Sequence, residues 1–490
     1  MVDVLVIGSG GSGLTSALWA KKSGVKVLVV SESYPTRSQT SMAQGGINAV
    51  LSKKDGDSIQ KHIEDTLKAS GYLADEEMVK IMCENAPNAV EWLDSIGVVF
   101  SRNEDGSIAQ RKLGGTKYSR ACYSQDYTGL KILQTLFDHS LKEEIDFLYE
   151  HYLVDIIINE NKIVGAIFLD IKSGELKEIF AKSVILATGG YAGIYHSHTT
   201  NMYSSSGDSI ALCIKHGIKT SNLDFIQFHP TGLKNSSVLI SESARGSGGK
   251  LLNSDGKRFV DELLPRDKVS LAIWEELEKG KEVFLDIRHL GEEFIDENLP
   301  QERKLAKLYE NIDPVYELIP IKPVAHYSMG GIEVNKELLT SINGLFAVGE
   351  CSDAKVHGKN RLGGNSLLEI IVFGKIAGIN AAKYAKNQNI KPISKINETQ
   401  KYIQKFFDNK NDKNFYHAKE KLGNILYENA GIKREKESLL KLLDFIESLP
   451  EYGLIDKSKI YNNTLVDLLK FENSKILAKE IVKSAIGRLT

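Results

Sequence analysis

An apolar run at Val4–Ile7 breaks on Gly8-Ser9-Gly10-Gly11-Ser12-Gly13, opens into a helical stretch at Leu14–Lys22, and is followed by a second apolar run at Val27–Val30. No other feature constrains the fold so tightly. A G-x-G-x-x-G string alone is a weak signal, but set between a strand and a helix it is the turn of a dinucleotide-binding βαβ unit. Gly8 permits the tight turn, Gly10 lets the backbone approach a pyrophosphate, and Gly13 lets helix and strand pack closely. The helix N-terminus then offers unpaired N–H groups to the phosphates. Glycines kept only for packing are the plainer alternative, and the strand–turn–helix context argues against it. The second strand of such a unit usually ends on an acidic ribose acceptor. Here that place falls to Ser31, with Glu32 beside it.

The rest of the chain builds on this unit. Residues 57–97 read as mostly helical, 151–188 alternate as a β-meander ending in V-I-L-A-T-G-G, and 344–350 (G-L-F-A-V-G-E) form a third strand closing on a glycine turn. Between those last strands lies a long insertion. From about residue 388 the composition shifts to Lys, Glu, Asn and Leu at helical spacing. The expected fold class is α/β: a Rossmann-like dinucleotide-binding domain (1–227 and 328–387) interrupted by an α+β domain (228–327) and followed by a helical C-terminal domain (388–490).

With 490 residues there is chain enough for two or three sizeable cores. A net charge of −2 argues against nucleic acid or an acidic membrane surface as the main partner. The four cysteines, Cys83, Cys122, Cys213 and Cys351, are scattered without a C-x-x-C pair, so no iron–sulfur or zinc cluster and no metal site is expected, and a reduced cytoplasmic compartment is. No stretch of roughly 18 uninterrupted apolar residues is present, and the N-terminus enters a strand at once without the pattern of a signal peptide. Any membrane contact is expected through other subunits.

The segment P-T-R-S-Q-T-S-M-A-Q-G-G-I at 35–47 sits just after the glycine loop. With it occur A-T-G-G, Q-F-H-P-T-G, S-E-S-A-R-G, L-L-P-R-D, H-Y-S-M-G-G, F-A-V-G-E and N-R-L-G-G-N-S-L-L-E, in this order, over residues 1 to about 380. In these the chain resembles the flavoprotein subunits of the succinate dehydrogenase and fumarate reductase family, a superfamily that includes L-aspartate oxidase. In that family the three domains are the FAD-binding, capping and helical domains. The resemblance implies FAD, with Ala43, Gly45 and Gly46 along the flavin, Asp208 and Glu350 at its sugar chain, and Ser366 and Leu367 meeting the ring through backbone. Many members hold the flavin covalently through a histidine whose place is taken here by Gln39. An amide has no nucleophilic nitrogen, so the FAD is expected to be non-covalent, which leans the chemistry towards fumarate reduction or amino-acid oxidation.

Reducing fumarate requires a clamp on two carboxylates, a hydride to one alkene carbon and a proton to the other. Arginine suits the clamp because its planar fork binds carboxylate bidentately. The resemblance assigns the clamp to His229, Thr231, His326 and Arg361, proton delivery to Arg266, and its relay to Glu242 and Arg245. The plainer alternatives are core histidines, a surface arginine, and a local i,i+3 ion pair for Glu242 and Arg245. His357 could serve the substrate pocket or support it.

L-aspartate oxidase is the nearest rival. It needs a partner for the substrate amino group, for which that branch uses a glutamate in an R-E-G-G-H-S-like segment; the matching stretch here, R-K-L-G-G-T-K-Y-S-R at 111–120, has Leu113 there. A non-catalytic flavoprotein predicts loss of His229, Arg266, His326 or Arg361, and all are present. The segment ends at S-A-I-G-R-L-T, where the family usually continues into E-S-R-G-x-H, a part that often meets the iron–sulfur partner. An iron–sulfur protein subunit is the expected electron donor.

Overall fold

The computed structural model of the protein describes residues 1–52, 55–411 and 413–489. Thr490, the last residue of the expected helical domain, lies outside the described residues. The glycine turn is where the sequence puts it. Val2–Ile7 pairs in parallel with Val27–Val30 on one side and with Leu176–Leu186 on the other, and Asp146–Leu148 extends the sheet beyond Val27–Val30. The helix Gly11–Lys22 covers this sheet and packs on the long helix Asn365–Lys386. A Cβ on Gly13 would stand 2.0 Å from the Gly8 carbonyl oxygen, and one on Gly8 (φ +111°) would stand 2.2 Å from that of Ala187. Both positions therefore admit only glycine.

The strand Leu176–Leu186 serves two partnerships. Its first half pairs antiparallel with Lys162–Asp170, which pairs with His151–Asn159, forming the meander; its second half joins the parallel sheet and also receives Leu345–Ala347. Helices cover residues Ile59–Ala69, Glu76–Glu84 and Ala86–Ser95. The C-terminal helices are Ile396–Asp408, Phe415–Asn429, Lys436–Ser448 and Asn463–Leu489, and they share the main apolar core with the sheet. Among the described residues, only helix Asn365–Lys386 has the length and apolar composition to cross a bilayer, and 72% of that stretch is buried in the protein.

The insertion forms its own sheet, ordered Ile226–Leu233, Ile319–Ser328, Val283–Asp286, Lys250–Asn253, all antiparallel. Residues from Leu233 to Ile321 make a second apolar core under it, with helix Arg266–Glu278 packed against Ile226–Leu233. Chain entry and exit are adjacent strands of one ladder, in which Leu233 faces Ile321.

Where the insertion rests on the domain of the glycine turn, two carboxyls meet out of solvent. Asp126 accepts the Gln301 N–H at 2.8 Å through Oδ2, capping the cap helix Pro300–Glu310, while its Oδ1 and both Glu302 oxygens are buried without a partner. Burial, then the neighbouring Asp126, holds the Glu302 carboxyl well above its ordinary range, so Glu302 keeps its proton. A raised folded-state pKa stabilises fully below the ordinary carboxyl range and loses that contribution as pH rises through the raised value. Thermal scans of Glu302→Gln should therefore show a melting temperature higher than wild type by a few degrees at about pH 9 and a much smaller difference at about pH 5. An equal difference at both pH values would refute the proton on Glu302.

Candidate active site

One large cavity opens where the glycine turn, the segment 38–46 and the N-terminus of helix Asn365–Lys386 converge under the cap; it holds about 1750 Å³ of empty space, its open mouth included. Gly8, Gly10, Ser31, Gln39, Ala43, Gly45, Gly46, Asp208, Glu350, Ser366 and Leu367 all line it, and so do His229, Glu242, Arg266, His326 and Arg361. Gly13, Thr231 and Arg245 stand one layer behind.

The wall fits a flavin dinucleotide. Helices Gly11–Lys22 and Asn365–Lys386 both begin after cavity-lining glycines, Gly10 and Gly364, whose missing side chains leave the helix N-termini open to the cavity; the Gly11 N–H donates to Thr40 Oγ1 at 3.1 Å. From the segment after the second strand, Ser38 and Gln44 line the cavity, and Ser38 Oγ and Gln44 Oε1 are buried without partners. Unpaired polar atoms of this kind are costly unless a ligand satisfies them. Gln39 Oε1 accepts the Met202 N–H at 3.1 Å. Asp208 is already engaged, accepting from Tyr152 at 2.7 Å, Asn473 at 2.8 Å and Ser206 at 2.7 Å. Glu350 accepts from the N–H and hydroxyl of Ser328, and burial pushes its carboxyl up to about 7 against those bonds.

At the cap end, Arg266 opens its helix and donates Nε–H to Glu242 Oε2 at 2.9 Å, with Nη2 bonded to the same oxygen. Its Nη1 donates to Gln227 Oε1 at 3.0 Å, and Arg361 Nη2 donates to that same oxygen at 3.2 Å. Gln227 thus joins the two guanidiniums; its own amide is fixed by donating to Asn360 Oδ1 and the Arg361 carbonyl, each at 2.7 Å. Sequence reasoning missed Gln227, although strand periodicity puts residues 227 and 229 on one face. Arg361 lies over the Tyr327 ring at 4.4 Å, and burial, then Arg266, lowers its guanidinium to about 10.

His229 and His326 face each other with ring centroids 4.9 Å apart. Burial, then the Arg266 charge, holds both well below the usual imidazole range, so both are neutral. The Thr231 N–H donates to His229 Nδ1 at 3.3 Å, which leaves the proton on Nε2; Thr231 Oγ donates to the Ile240 carbonyl at 2.7 Å. His326 Nδ1 bonds Thr200 Oγ1 at 2.7 Å. His357 does not line the cavity: it bonds Glu369, which also accepts from Tyr327, and so supports the floor under Arg361.

Glu242 lies fully buried. Burial pushes its carboxyl up, but Arg266 and then Arg245 outweigh that and hold it below its ordinary value. Arg245 Nη2 is 3.8 Å from Glu242 Oε1, and Arg245 Nη1 donates to the Glu262 carbonyl at 2.6 Å. A Cβ on Gly114 would stand 2.2 Å from Glu242 Oε1, and one on Gly363 2.8 Å from Oε2. Leu113, beside Gly114, is on the cavity wall and 3% exposed.

The family described as FAD binding domain matches residues 3–367, and that described as fumarate reductase flavoprotein C-term matches 419–489. The chain belongs to the flavoprotein-subunit family of fumarate reductases and succinate dehydrogenases. This flavoprotein is 41% identical over 465 residues to the 8-methylmenaquinol:fumarate reductase flavoprotein subunit of Wolinella succinogenes, covering 90% of this chain and 76% of that one. It is 35% identical over 523 residues to the Escherichia coli fumarate reductase flavoprotein subunit, covering 99% and 86%. A solved E. coli quinol fumarate reductase superposes with a TM-score of 0.95 at 34% identity, covering 99% of this chain and 89% of that one. This flavoprotein is accordingly an FAD-dependent oxidoreductase acting on CH–CH bonds.

Proposed function

We propose that this flavoprotein interconverts fumarate and succinate, favouring fumarate reduction, as one subunit of a larger complex. The observation that carries this reading is the Arg266–Gln227–Arg361 chain beside two neutral histidines on one cavity wall. Such a wall suits two carboxylates: Arg361 offers a guanidinium to one, and His229, with its proton on Nε2, and His326 offer neutral donors to the other. Thr231 positions the His229 ring from behind. FAD, which the turn at Gly8–Gly13 and the segment 38–46 would hold, would supply the hydride for one carbon of the dicarboxylate. Arg266 gives the other alkene carbon its proton, so that hydride and proton together turn the C=C bond into CH₂–CH₂; oxidation runs the same path in reverse. Glu242, on two nitrogens of Arg266, and then Arg245 return the proton. Proton loss from a guanidinium demands a closed, water-poor site, and Glu242 seated between Gly114 and Gly363 supports that closure.

The FAD is held without a covalent bond, since Gln39 stands where a nucleophilic nitrogen would be needed. An iron–sulfur subunit supplies the electrons, because the four cysteines here are scattered and buried. The subunit works on the cytoplasmic side, and any membrane contact comes through its partners. The names of the relatives, a menaquinol and a quinol fumarate reductase, support a quinol-linked complex.

Oxidised holoprotein, mixed anaerobically with succinate and separately with L-aspartate, tests the substrate. Succinate should bleach the flavin absorbance and aspartate should not, because Leu113 offers an ammonium no partner. Rapid bleaching by aspartate would overturn the assignment. If neither acts, turnover of fumarate with a reduced dye decides between a low-potential reductase and an inactive flavoprotein.

A further inference from the structure

The ribose-acceptor position at the end of the second strand offers two adjacent side chains to the cavity. Ser31 is 7% exposed, and its hydroxyl is committed to the Ser33 carbonyl at 2.6 Å. Glu32 stands beside it on the cavity wall, its side chain 34% exposed. Behind it comes Lys470, from the far end of the chain. This lysine sits on helix Asn463–Leu489, is 4% exposed, and pairs with Glu32. One turn on, Asn473 donates to Asp208 Oδ1 at 2.8 Å and to Tyr152 Oη at 3.1 Å. One face of the C-terminal helix therefore grips both carboxylates of this wall.

We propose that Lys470 is a positioning residue for the cofactor, holding Glu32 as the charged acceptor for the ribose hydroxyls of FAD, so that the C-terminal helix sets how tightly a non-covalent flavin is retained. The proposal rests on the non-covalent reading above. Burial pushes the Glu32 carboxyl above its ordinary range, and Asp208 and Asp467 push it the same way; Lys470 opposes them by charge and by hydrogen bond. Lys419 on helix Phe415–Asn429 is also near enough to feel Glu32, and Arg37, Tyr152 and His151 line the same cavity. Tyr152 stays neutral, its hydroxyl held well above the usual range by burial and then Asp208. A charged acceptor makes a hydrogen bond roughly twice as strong as a neutral one, so losing Lys470 weakens the ribose contact wherever Glu32 becomes protonated.

The experiment follows FAD release from diluted holoenzyme by flavin fluorescence over about pH 6 to pH 9. Lys470→Met should release FAD about tenfold faster than wild type at the acid end, the gap closing towards the alkaline end where Glu32 ionises unaided. Lys470→Arg should restore slow release. Glu32→Gln should release fast at every pH, and adding Lys470→Met to it should change nothing further. A Lys470→Met effect that is absent, independent of pH, or additive with Glu32→Gln overturns the proposal and leaves the non-covalent reading standing. Flavin that stays with the acid-precipitated chain overturns both.

Discussion

Arg266→Lys should abolish most fumarate turnover with a reduced dye, lowering kcat by about two to four orders of magnitude while FAD content stays at the wild-type level. Lysine keeps a positive charge for the buried Glu242, which otherwise would be left unpaired at a cost of about 3–5 kcal/mol. It cannot keep the fork, which spans Glu242 and Gln227 at once and so fixes the remaining N–H directions. The fumarate KM should change far less than kcat, since Arg361 and the histidines remain to hold the carboxylates. An Arg266→Lys enzyme retaining more than about a tenth of wild-type kcat would rule Arg266 out as proton donor.

Gly114→Ala should lower kcat by about two orders of magnitude, an effect typical of a misplacement near 1 Å, with no change in flavin content. The added methyl would fall 2.2 Å from Glu242 Oε1, and Gly363 closes the carboxylate in from its other side. Glu242 must then move, and Arg266 with it, or the cap must ride higher. The φ of Gly114 is not in the left-handed region, so the backbone itself tolerates alanine. Full activity in Gly114→Ala would show that the cap does not press on Glu242 during turnover.

Most of the cavity was legible in the sequence because its parts are local. The glycine turn, the small residues at 43–46 and the arginines each sit in short segments whose spacing carries its own physical reason. Gln227 was also within reach, since it shares a strand face with His229, but a glutamine inside an apolar strand announces no chemistry until its partners are known. Lys470 was not legible at all. It reads as one more lysine on a charged helix, and only the fold brings it across 438 positions of sequence to Glu32. Asp126 and Glu302 were hidden for the same reason: nothing local distinguishes a carboxyl that will lose its water from one that keeps it. Long-range burial is what turns an ordinary titratable residue into a perturbed one.

The cap leaves and rejoins its host through neighbouring strands, with Leu233 opposite Ile321. Two chain ends so placed are separated by one strand spacing, about 5 Å, which a two-residue hairpin turn can bridge. Excision of the segment between them would ask nothing of the host's connectivity, and no strand would need to be rethreaded. The two cores already divide along that ladder, Phe228 and Ala325 belonging to one and Leu233 and Ile321 to the other. In such an arrangement the half of the enzyme that carries Arg266 and Glu242 is a detachable module, and different lids can be exchanged over the same cavity by splicing at a single rung.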